Sequence, residues 1–416
     1  MTSRVRQIRS RRSTALRCAA PLVTLALAAT GCGASVTPGR IGDSPRSPTT
    51  NDAPPAAAST PSPTQAATCT DRYFSGMTTA QRVGQLLMGG ISAAHPDQAQ
   101  LRTLRDNHVG AIMLTGRSTA GTAATRKAVD GFRGQADQVG GRRVGLLVST
   151  DQEGGQVQVL NGPGFSAIPN GLTQGSWPAA TLRSQAAGWA KQLKAAGVDL
   201  NLAPIADVVP AALGTRNMPI GSFKREYGHT PETVTSHSGA FAAGFAQSGV
   251  MTTLKHFPGL GQVIGNTDTT ANVVDSVTTA SSSSLEPFRA GIRSGSPFVM
   301  VSSATYTKID PKHLAAFSPT VIGELLRGKL GFKGVVISDD IGNAVAVRSF
   351  SPAQRAVNFI AAGGNMILTV RPSTVPAMTQ AIEARMRQDA SFRAKVDDSV
   401  RRILAAKQSA GLLDCH

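Results

Sequence analysis

The sequence predicts an α/β protein folded as a single TIM (β/α)8 barrel, a closed ring of eight parallel strands surrounded by helices. Short apolar runs recur eight times between residues 85 and 370, and alanine-rich stretches with helical spacing separate them. Five of these runs end in polar clusters, and the strand ends of a barrel meet on one rim, where such folds carry their chemistry. A doubly wound open sheet is the competing architecture, but no glycine-rich phosphate-binding motif follows the first run.

The eight predicted strands are short and often β-branched. They cover residues 85–88, 109–114, 144–149, 199–202, 250–254, 298–302, 334–338 and 366–370. A helix predicted over residues 184–196 ends directly before Gly197, a residue type that commonly follows a helix. The last predicted helix has an apolar face that includes Val396 and Val400. The barrel domain is therefore predicted over residues 69–416.

Residues 1–31 are predicted to be a signal peptide rather than part of the fold. Six arginines and no acidic residue precede an apolar stretch that is too short to span a bilayer comfortably. The small residues before Cys32 resemble a bacterial lipobox, which implies cleavage and lipid attachment at Cys32. Cleavage without a lipid is the alternative and would give a secreted protein. We expect an exported protein on the outer face of the cell membrane, held there by its lipid anchor.

Residues 32–68 are predicted to be a disordered linker, because seven prolines stand among many Ala, Ser and Thr without apolar periodicity. Two cysteines remain after the signal peptide and the lipidation site, and they lie at the two ends of the predicted barrel. Export favours their pairing, and a closed barrel brings its ends together, so we predict a Cys69–Cys415 disulfide. Two unrelated free thiols are the alternative.

Composition limits the function classes. The chain carries 42 Lys and Arg against 25 Asp and Glu, a net charge of +17, but the charge beyond the signal peptide forms no long basic run. Aromatic residues make up only 5% of the chain, which argues against a base-stacking nucleic-acid module. No His and Cys set has the spacing of a zinc site. We predict no nucleic-acid partner, no metal and no cofactor.

The polar clusters at the strand ends suggest carbohydrate chemistry. Several carboxylates are expected to converge there with the Lys255–His256 pair, and no Ser–His–Asp arrangement is evident. Paired carboxylates that serve as nucleophile and proton donor are the usual means of cleaving a glycosidic bond. Lysine and histidine can donate hydrogen bonds to sugar hydroxyls.

Four blocks in order carry a specific resemblance. They are Asp151-Gln152-Glu153-Gly154-Gly155, Asn201-Leu202-Ala203-Pro204, Lys255-His256-Phe257-Pro258-Gly259 and Ser338-Asp339-Asp340. Together they resemble the single-barrel β-N-acetylglucosaminidases of glycoside hydrolase family 3, over essentially all of residues 70–414. The resemblance implies that Asp339 is the nucleophile and forms a covalent glycosyl-enzyme with retention of configuration. It also implies that Asp151, Lys255 and His256 bind the sugar.

Two further candidate site residues, Arg225 and Asp268, lie outside these four blocks. The segment 220–228 resembles the family segment whose arginine contacts the sugar, which makes Arg225 the candidate, although a surface arginine is the alternative. The family's usual loop after Lys-His-Phe-Pro-Gly carries a catalytic histidine, whereas a gap-free count places Asn266-Thr267-Asp268 there. Asp268 is therefore the candidate acid/base, with a pKa raised by burial beside Asp339. In the alternative the donor is lost and Asp268 only caps a turn.

The predicted function is an exo-β-N-acetylglucosaminidase that hydrolyses terminal β-linked GlcNAc from cell-wall peptidoglycan fragments. A carboxylate donor disfavours phosphate as acceptor, so we expect hydrolysis rather than phosphorolysis. A β-glucosidase or broad β-hexosaminidase on the same barrel is one alternative, and a catalytically impaired sugar-binding lipoprotein is another. A monomer is expected.

Overall fold

The computed structural model describes residues 68–415. The predicted signal peptide, the predicted lipidation site Cys32 and all of the predicted linker except Thr68 lie outside the described residues.

Eight parallel strands form the predicted barrel. They are β1 (Leu87–Ser92), β2 (Ala111–Thr115), β3 (Leu147–Thr150), β4 (Leu200–Asn201), β5 (Met251–Phe257), β6 (Phe298–Val301), β7 (Val335–Ser338) and β8 (Ile367–Thr369). Neighbours pair in the order β8-β1-β2-β3-β4-β5-β6-β7. A parallel bridge between Ile337 and Met366 closes the ring between β7 and β8. The predicted fold class is confirmed.

Helices cover the outside of the ring. They are α1 (Cys69–Gly76), α2 (Thr79–Gln85), α3 (Gln98–Asp106), α4 (Gly121–Arg133), α5 (Gly171–Gly175), α6 (Ala179–Ala195), α7 (Pro231–Ala246), α8 (Glu286–Arg293), α9 (Pro352–Ala361), α10 (Val375–Gln388) and α11 (Ala390–Ser409). A π-helix spans Thr320–Lys329, and six 3-10 turns lie at Gly214–Arg216, Gly221–Phe223, Ser283–Leu285, Ala315–Phe317, Val345–Val347 and Pro372–Thr374. No helix among residues 68–415 is long and apolar enough to cross a membrane.

Short strands outside the barrel shape its two ends. Gln138–Val139 pairs with Arg142–Arg143, and Gln152–Gly154 pairs with Val157–Gln158, in two antiparallel hairpins. A three-stranded sheet combines Val274–Asp275, Thr305–Tyr306 and Asp310–Leu314. The second hairpin and the three-stranded sheet follow the C-terminal ends of β3, β5 and β6, the face where parallel barrels hold their sites.

Local sequence explains several helix boundaries. Thr78 and Gln81 form a capping box at the start of α2, and Ser351 and Gln354 form another at the start of α9. Helix α6 ends before Gly197, whose φ of +84° suits glycine.

The first strand departs from its predicted bounds of 85–88. Gln85 ends α2, and β1 continues through Gly89 and Gly90, where the apolar run in the sequence stops. Neither glycine has space for a side chain, because a Cβ on Gly89 would lie 2.4 Å from the Leu104 side chain and one on Gly90 would lie 2.7 Å from the Val370 backbone. Close packing against α3 and against the residue that follows β8 therefore requires glycine at these two positions. The two glycines interrupt the apolar pattern by which the strand would be recognised in the sequence.

The predicted disulfide is confirmed. Cys69 and Cys415 are bonded, with their Cα atoms 5.5 Å apart and a separation of 346 positions in sequence. The C-terminal segment is also fixed beside the start of β3, since the Gly145 N–H donates to the Leu412 carbonyl at 2.8 Å. The Tyr73 hydroxyl donates to the carbonyl of Arg143 at 3.3 Å. The disulfide thus lies at the N-terminal ends of the strands, opposite the rim that carries the polar clusters.

A lysine is fully buried near the same end of the barrel. The Nζ of Lys407 in α11 donates to Oε1 of Gln85 at 2.5 Å, and its residue is 0% exposed. Burial lowers the pKa of Lys407 to about 7, against the weaker opposing effects of Asp137 and Asp199. In the unfolded chain the lysine is protonated up to its ordinary pKa of 10.5. Between about pH 7 and 10.5 the unfolded state therefore binds more protons than the folded state, so the folded state loses stability as pH falls from 10.5 to about 7.

Replacing Lys407 by Met should remove this pH dependence. Between pH 7 and 10.5, the unfolding free energy of the wild type should rise relative to Lys407→Met by up to about 1.4 kcal/mol per pH unit. Chemical denaturation of both proteins across this range measures the difference. The exposed Lys191→Met serves as control and should follow the wild type. A constant difference between wild type and Lys407→Met would contradict the assignment.

Candidate active site

A cavity of about 430 Å³ opens at the C-terminal ends of the barrel strands. Its charged and polar lining side chains come from β5 and from the segments that follow β3, β4, β5 and β7. They are Asp151, Arg225, Lys255, His256, Asn266, Thr267, Asp268, Asp339, Asp340 and Asn343. Met113, Met300 and Leu368, on β2, β6 and β8, add apolar surface. All six residues predicted to act in catalysis or sugar binding therefore line one cavity.

Four charged groups form a connected network at one side of this cavity. The Nζ of Lys255 lies 2.6 Å from Oδ1 of Asp151 and 2.6 Å from Oε1 of Glu153. The guanidinium of Arg225 donates to both carboxylate oxygens of Glu153, at 2.8 and 2.7 Å. Glu153 lies behind the cavity wall and is only 6% exposed. Two cations are thereby held by one buried carboxylate.

The network keeps its members charged in spite of burial. Burial alone would raise the pKa of Glu153, but Arg225 and Lys255 outweigh it and hold that pKa down at about 2. Burial would likewise lower the pKa of Lys255, but Asp151 and Glu153 reverse the effect and raise it. Charge-assisted hydrogen bonds of this kind are short and directional. The network therefore presents fixed ammonium and guanidinium donors beside the Asp151 carboxylate.

The local backbone brings Arg225 into this position. A 3-10 turn at Gly221–Phe223 ends at Lys224, which has a φ of +54°. The Arg225 side chain also donates to the carbonyl of Pro219 at 2.8 Å. A Cβ on Gly171 would lie 2.0 Å from the Arg225 carbonyl oxygen. Only glycine permits α5 to approach the arginine segment this closely.

A second buried carboxylate orients His256. The Nδ1–H of His256 donates to Oδ2 of Asp207 at 2.8 Å, while the backbone N–H groups of His256 and Leu260 donate to Oδ1 at 3.1 and 2.7 Å. The tautomer is inferred from this pairing, because a carboxylate accepts. Nε2 has no hydrogen-bond partner among the described residues. His256 therefore keeps one ring nitrogen for a ligand.

Two adjacent aspartates follow β7, and their surroundings differ. Asp340 accepts backbone N–H groups from Gly342, Asn343 and Val370 at 2.9 to 3.2 Å, which fixes the loops after β7 and β8. Asp339 accepts only the Asp340 N–H, at 2.8 Å on Oδ1, among the hydrogen bonds of residues 68–415. Asp340 is therefore committed to the backbone, while the second carboxylate oxygen of Asp339 has no hydrogen-bond partner among the described residues.

Asp268 lies in the loop after β5 and faces the same cavity. Its backbone carbonyl accepts the Val345 N–H at 3.1 Å, and the Thr267 carbonyl accepts the Ala346 N–H at 3.0 Å. The side chain is exposed to the cavity, yet the surrounding walls desolvate it. This desolvation, followed by repulsion from Asp339, raises the pKa of Asp268 to about 6. A carboxylic acid with this pKa can donate a proton near neutral pH.

Sequence reasoning missed two buried residues that support the site. Glu153 was visible only as part of the Asp-Gln-Glu cluster, and Asp207 stands in an apolar segment with no distinguishing spacing. Asn201, one of the polar strand ends, does not line the cavity. Instead it exchanges two hydrogen bonds of 3.0 Å with the backbone of Gln152 and so fixes the loop after β3. Among residues 68–415, no group of three or more His, Cys, Asp or Glu is placed to hold a metal ion.

Comparison with known proteins identifies relatives of this chain. The model of a family described as "Glycosyl hydrolase family 3 N terminal domain" matches residues 78–406. A protein named Beta-hexosaminidase from Xylella fastidiosa strain M23 is 33% identical over 316 residues, which cover 74% of this chain and 90% of that protein.

Solved structures agree with the sequence relatives. A β-N-acetylhexosaminidase from Beutenbergia cavernae is 50% identical, with a TM-score of 0.78, over 80% of this chain and 99% of that one. A glycoside hydrolase family 3 β-N-acetylglucosaminidase from a Paenibacillus species is 31% identical, with a TM-score of 0.71, over 81% of this chain and 63% of that one.

Replacing Glu153 by Gln tests whether one carboxylate holds the charged network. The change keeps the shape but leaves Arg225 and Lys255 without their shared counter-charge, and breaking such a buried pair costs about 3–5 kcal/mol. We expect the unfolding free energy to fall by this order in urea denaturation. Glu324→Gln, at an exposed position of the π-helix, is the control and should change it little. Equal stability of Glu153→Gln and the wild type would refute the proposed support.

Proposed function

The chain belongs to glycoside hydrolase family 3, and on this basis we propose that it is a retaining exo-β-N-acetylglucosaminidase. Its coarser activity, that of a β-hexosaminidase-type glycosidase, follows from the family and its relatives. The observation that carries the finer proposal is the arrangement of one cavity. Asp339 with a free oxygen and Asp268 with a raised pKa line it together with the network of Asp151, Arg225 and Lys255.

The network side of the cavity is proposed to bind the terminal sugar. The Asp151 carboxylate accepts hydrogen bonds from sugar hydroxyls. Lys255 and Arg225 donate to other oxygens of the sugar, and Nε2 of His256 is available for a further hydrogen bond. Their positions are fixed by Glu153 and Asp207 before substrate enters, so little reorganisation is needed on binding.

Cleavage proceeds in two displacements. An Asp339 oxygen attacks the anomeric carbon as the bond to the leaving oxygen breaks, and Asp268 gives its proton to that oxygen. The products are a glycosyl ester on Asp339 and the free aglycone alcohol. The Asp268 carboxylate then takes a proton from water, whose oxygen attacks the anomeric carbon and releases Asp339. Two inversions restore the original configuration.

Water is the proposed acceptor in the second step. After the first step Asp268 is ionised, and it then faces a cavity that also contains Asp340. Negative charge at this point repels a phosphate dianion more strongly than it affects neutral water. Hydrolysis is thus favoured over phosphorolysis.

The natural substrate is proposed to be a peptidoglycan fragment with a terminal β-linked GlcNAc. This proposal rests on the predicted signal peptide and lipidation at Cys32, which would place the enzyme outside the cell membrane beside the wall. A monomeric catalytic domain is proposed with it. Mass spectrometry of the mature protein from its native membrane fraction tests the lipid and the cleavage site together.

A mechanism-based trap tests Asp339. A 5-fluoro N-acetylglucosaminyl fluoride should form a stable adduct, and peptide mass spectrometry should locate it on Asp339 and not on Asp340, whose oxygens are bound to the backbone. Asp339→Asn should lose at least about a thousandfold in kcat, since the covalent step is removed. An inverted product in NMR, or turnover without any enzyme adduct, would overturn the proposal.

The pH profile and leaving-group dependence test Asp268. Because the raised pKa of about 6 belongs to a group that must be protonated to donate, kcat/KM on a disaccharide should fall as pH rises through about 6. Asp268→Asn should abolish this alkaline limb and slow cleavage of a disaccharide about 10²- to 10⁴-fold.

The same variant should keep the first step with a dinitrophenyl leaving group, and azide should rescue release as the β-azide. A variant as active as the wild type on the disaccharide would remove Asp268 from the mechanism. If the wild type cleaved an aryl β-glucoside faster than the corresponding N-acetyl-β-glucosaminide, the assigned activity would change to that of a β-glucosidase.

A further inference from the structure

A second depression adjoins the catalytic cavity. Its volume is about 460 Å³, and it shares two lining residues, Asn343 and Val370, with the cavity that holds Asp339. The remaining walls come from the start of α3 and from the segment after β8. Its polar lining side chains are Gln100, Thr103, Asn343, Arg371 and Ser373. A ligand larger than one sugar ring can extend directly from one depression into the other.

Arg371 supplies the charge of this depression. It follows β8 directly, and its backbone is fixed because its carbonyl accepts the hydroxyls of Thr369 and Thr374 at 3.1 and 2.8 Å. Its side chain is exposed and forms no ion pair among the described residues. The backbone of Arg371 is therefore fixed on the rim, while its guanidinium donors have no partner among the described residues.

Two further arginines and one carboxylate lie near Arg371. Arg355 is buried beneath this part of the rim and donates to the carbonyls of Ile341 and Gly342 at 3.1 and 3.0 Å. Burial lowers the pKa of Arg355, the nearby Asp340 carboxylate opposes this effect, and the charges of Arg371 and Arg348 lower the pKa further. Asp340 is itself bound to the backbone N–H groups of Gly342, Asn343 and Val370.

The carboxylate at the start of α3, beside the opposite wall, is already occupied. Asp97 caps α3, where one of its oxygens accepts the N–H groups of Ala99 and Gln100 at 2.7 and 3.3 Å. The N–H groups at this end of α3 are thereby satisfied by the protein itself. The charged donor in the lining of the depression is Arg371.

We propose that this depression is a subsite for the aglycone and that Arg371 binds a carboxylate carried by the aglycone. The inference rests on the proposed function: the sugar-binding network lies on the β3–β5 side of the cavity, and the adjoining depression between α3 and the segment after β8 is open to the group attached to the sugar. Guanidinium matches carboxylate with two parallel hydrogen bonds. The favoured substrate class is therefore a β-linked amino sugar on an acidic aglycone.

Matched disaccharides test the proposal. The first has GlcNAc β-1,4-linked to N-acetylmuramic acid with its lactyl carboxylate free, and the second carries the same group as a methylamide. In a third substrate that lactyl group is joined to a dipeptide with a free terminal carboxylate, and chitobiose is the neutral reference. We measure kcat/KM of the wild type, Arg371→Met and Arg387→Met, which alters an exposed arginine on α10.

The wild type should prefer a carboxylate-bearing substrate over the methylamide about fivefold, the scale of a partly exposed charge pair. Arg371→Met should abolish this preference and leave the methylamide and chitobiose rates within about twofold, while Arg387→Met should match the wild type. Raising the salt concentration should also reduce the preference. A preference confined to the free lactyl group, or to the dipeptide substrate, identifies which carboxylate Arg371 binds.

Equal rates on the acidic and amidated substrates, or a preference that survives in Arg371→Met, would overturn the subsite. Failure of the proposed function is distinguishable, because a wild type without activity on chitobiose and on every GlcNAc disaccharide would contradict the glycosidase assignment itself.

Discussion

The site depends on the buried carboxylate of Glu153. It accepts hydrogen bonds from Nε and Nη2 of Arg225, and its Oε1 lies 2.6 Å from the Lys255 ammonium. These three residues come from the segment after β3, the turn before α7 and β5, so one anion aligns three separate parts of the rim. Without it, two cations would face each other in a poorly hydrated wall. The charged surface of the cavity is thus an electrostatic consequence of a residue that does not line the cavity.

The architecture could largely be predicted from the sequence, because a parallel barrel repeats the same β/α unit and so produces a repeated sequence pattern. Buried strands give apolar runs at every turn of the β/α repeat, and the strand ends carry the polar residues of the rim. All eight runs correspond to strands. The first was displaced because Gly89 and Gly90 replace apolar residues where neighbouring elements approach closely. Such contacts depend on the tertiary structure and leave no apolar pattern in the sequence.

The site was only partly predictable. Residues in recognisable blocks, such as Lys255 and His256, were found by resemblance, and Asp268 was found by a count of positions after them. Glu153 and Asp207 owe their importance to partners that are 72 and 49 residues away in sequence. The distinct environments of Asp339 and Asp340 also depend on loops that meet only in the folded barrel. Secondary-structure propensity and residue spacing carry no information on these tertiary contacts.

The disulfide has a consequence for how this barrel is handled and displayed. The bond joins Cys69 to Cys415 at the N-terminal ends of the strands, the pole opposite the catalytic mouth. Thr68 lies beside it, so a spacer coupled to the barrel at that residue would leave from the back of the molecule. An immobilised or surface-grafted barrel attached there would point its mouth outward, and bulky polymeric material could reach it without steric hindrance from the support.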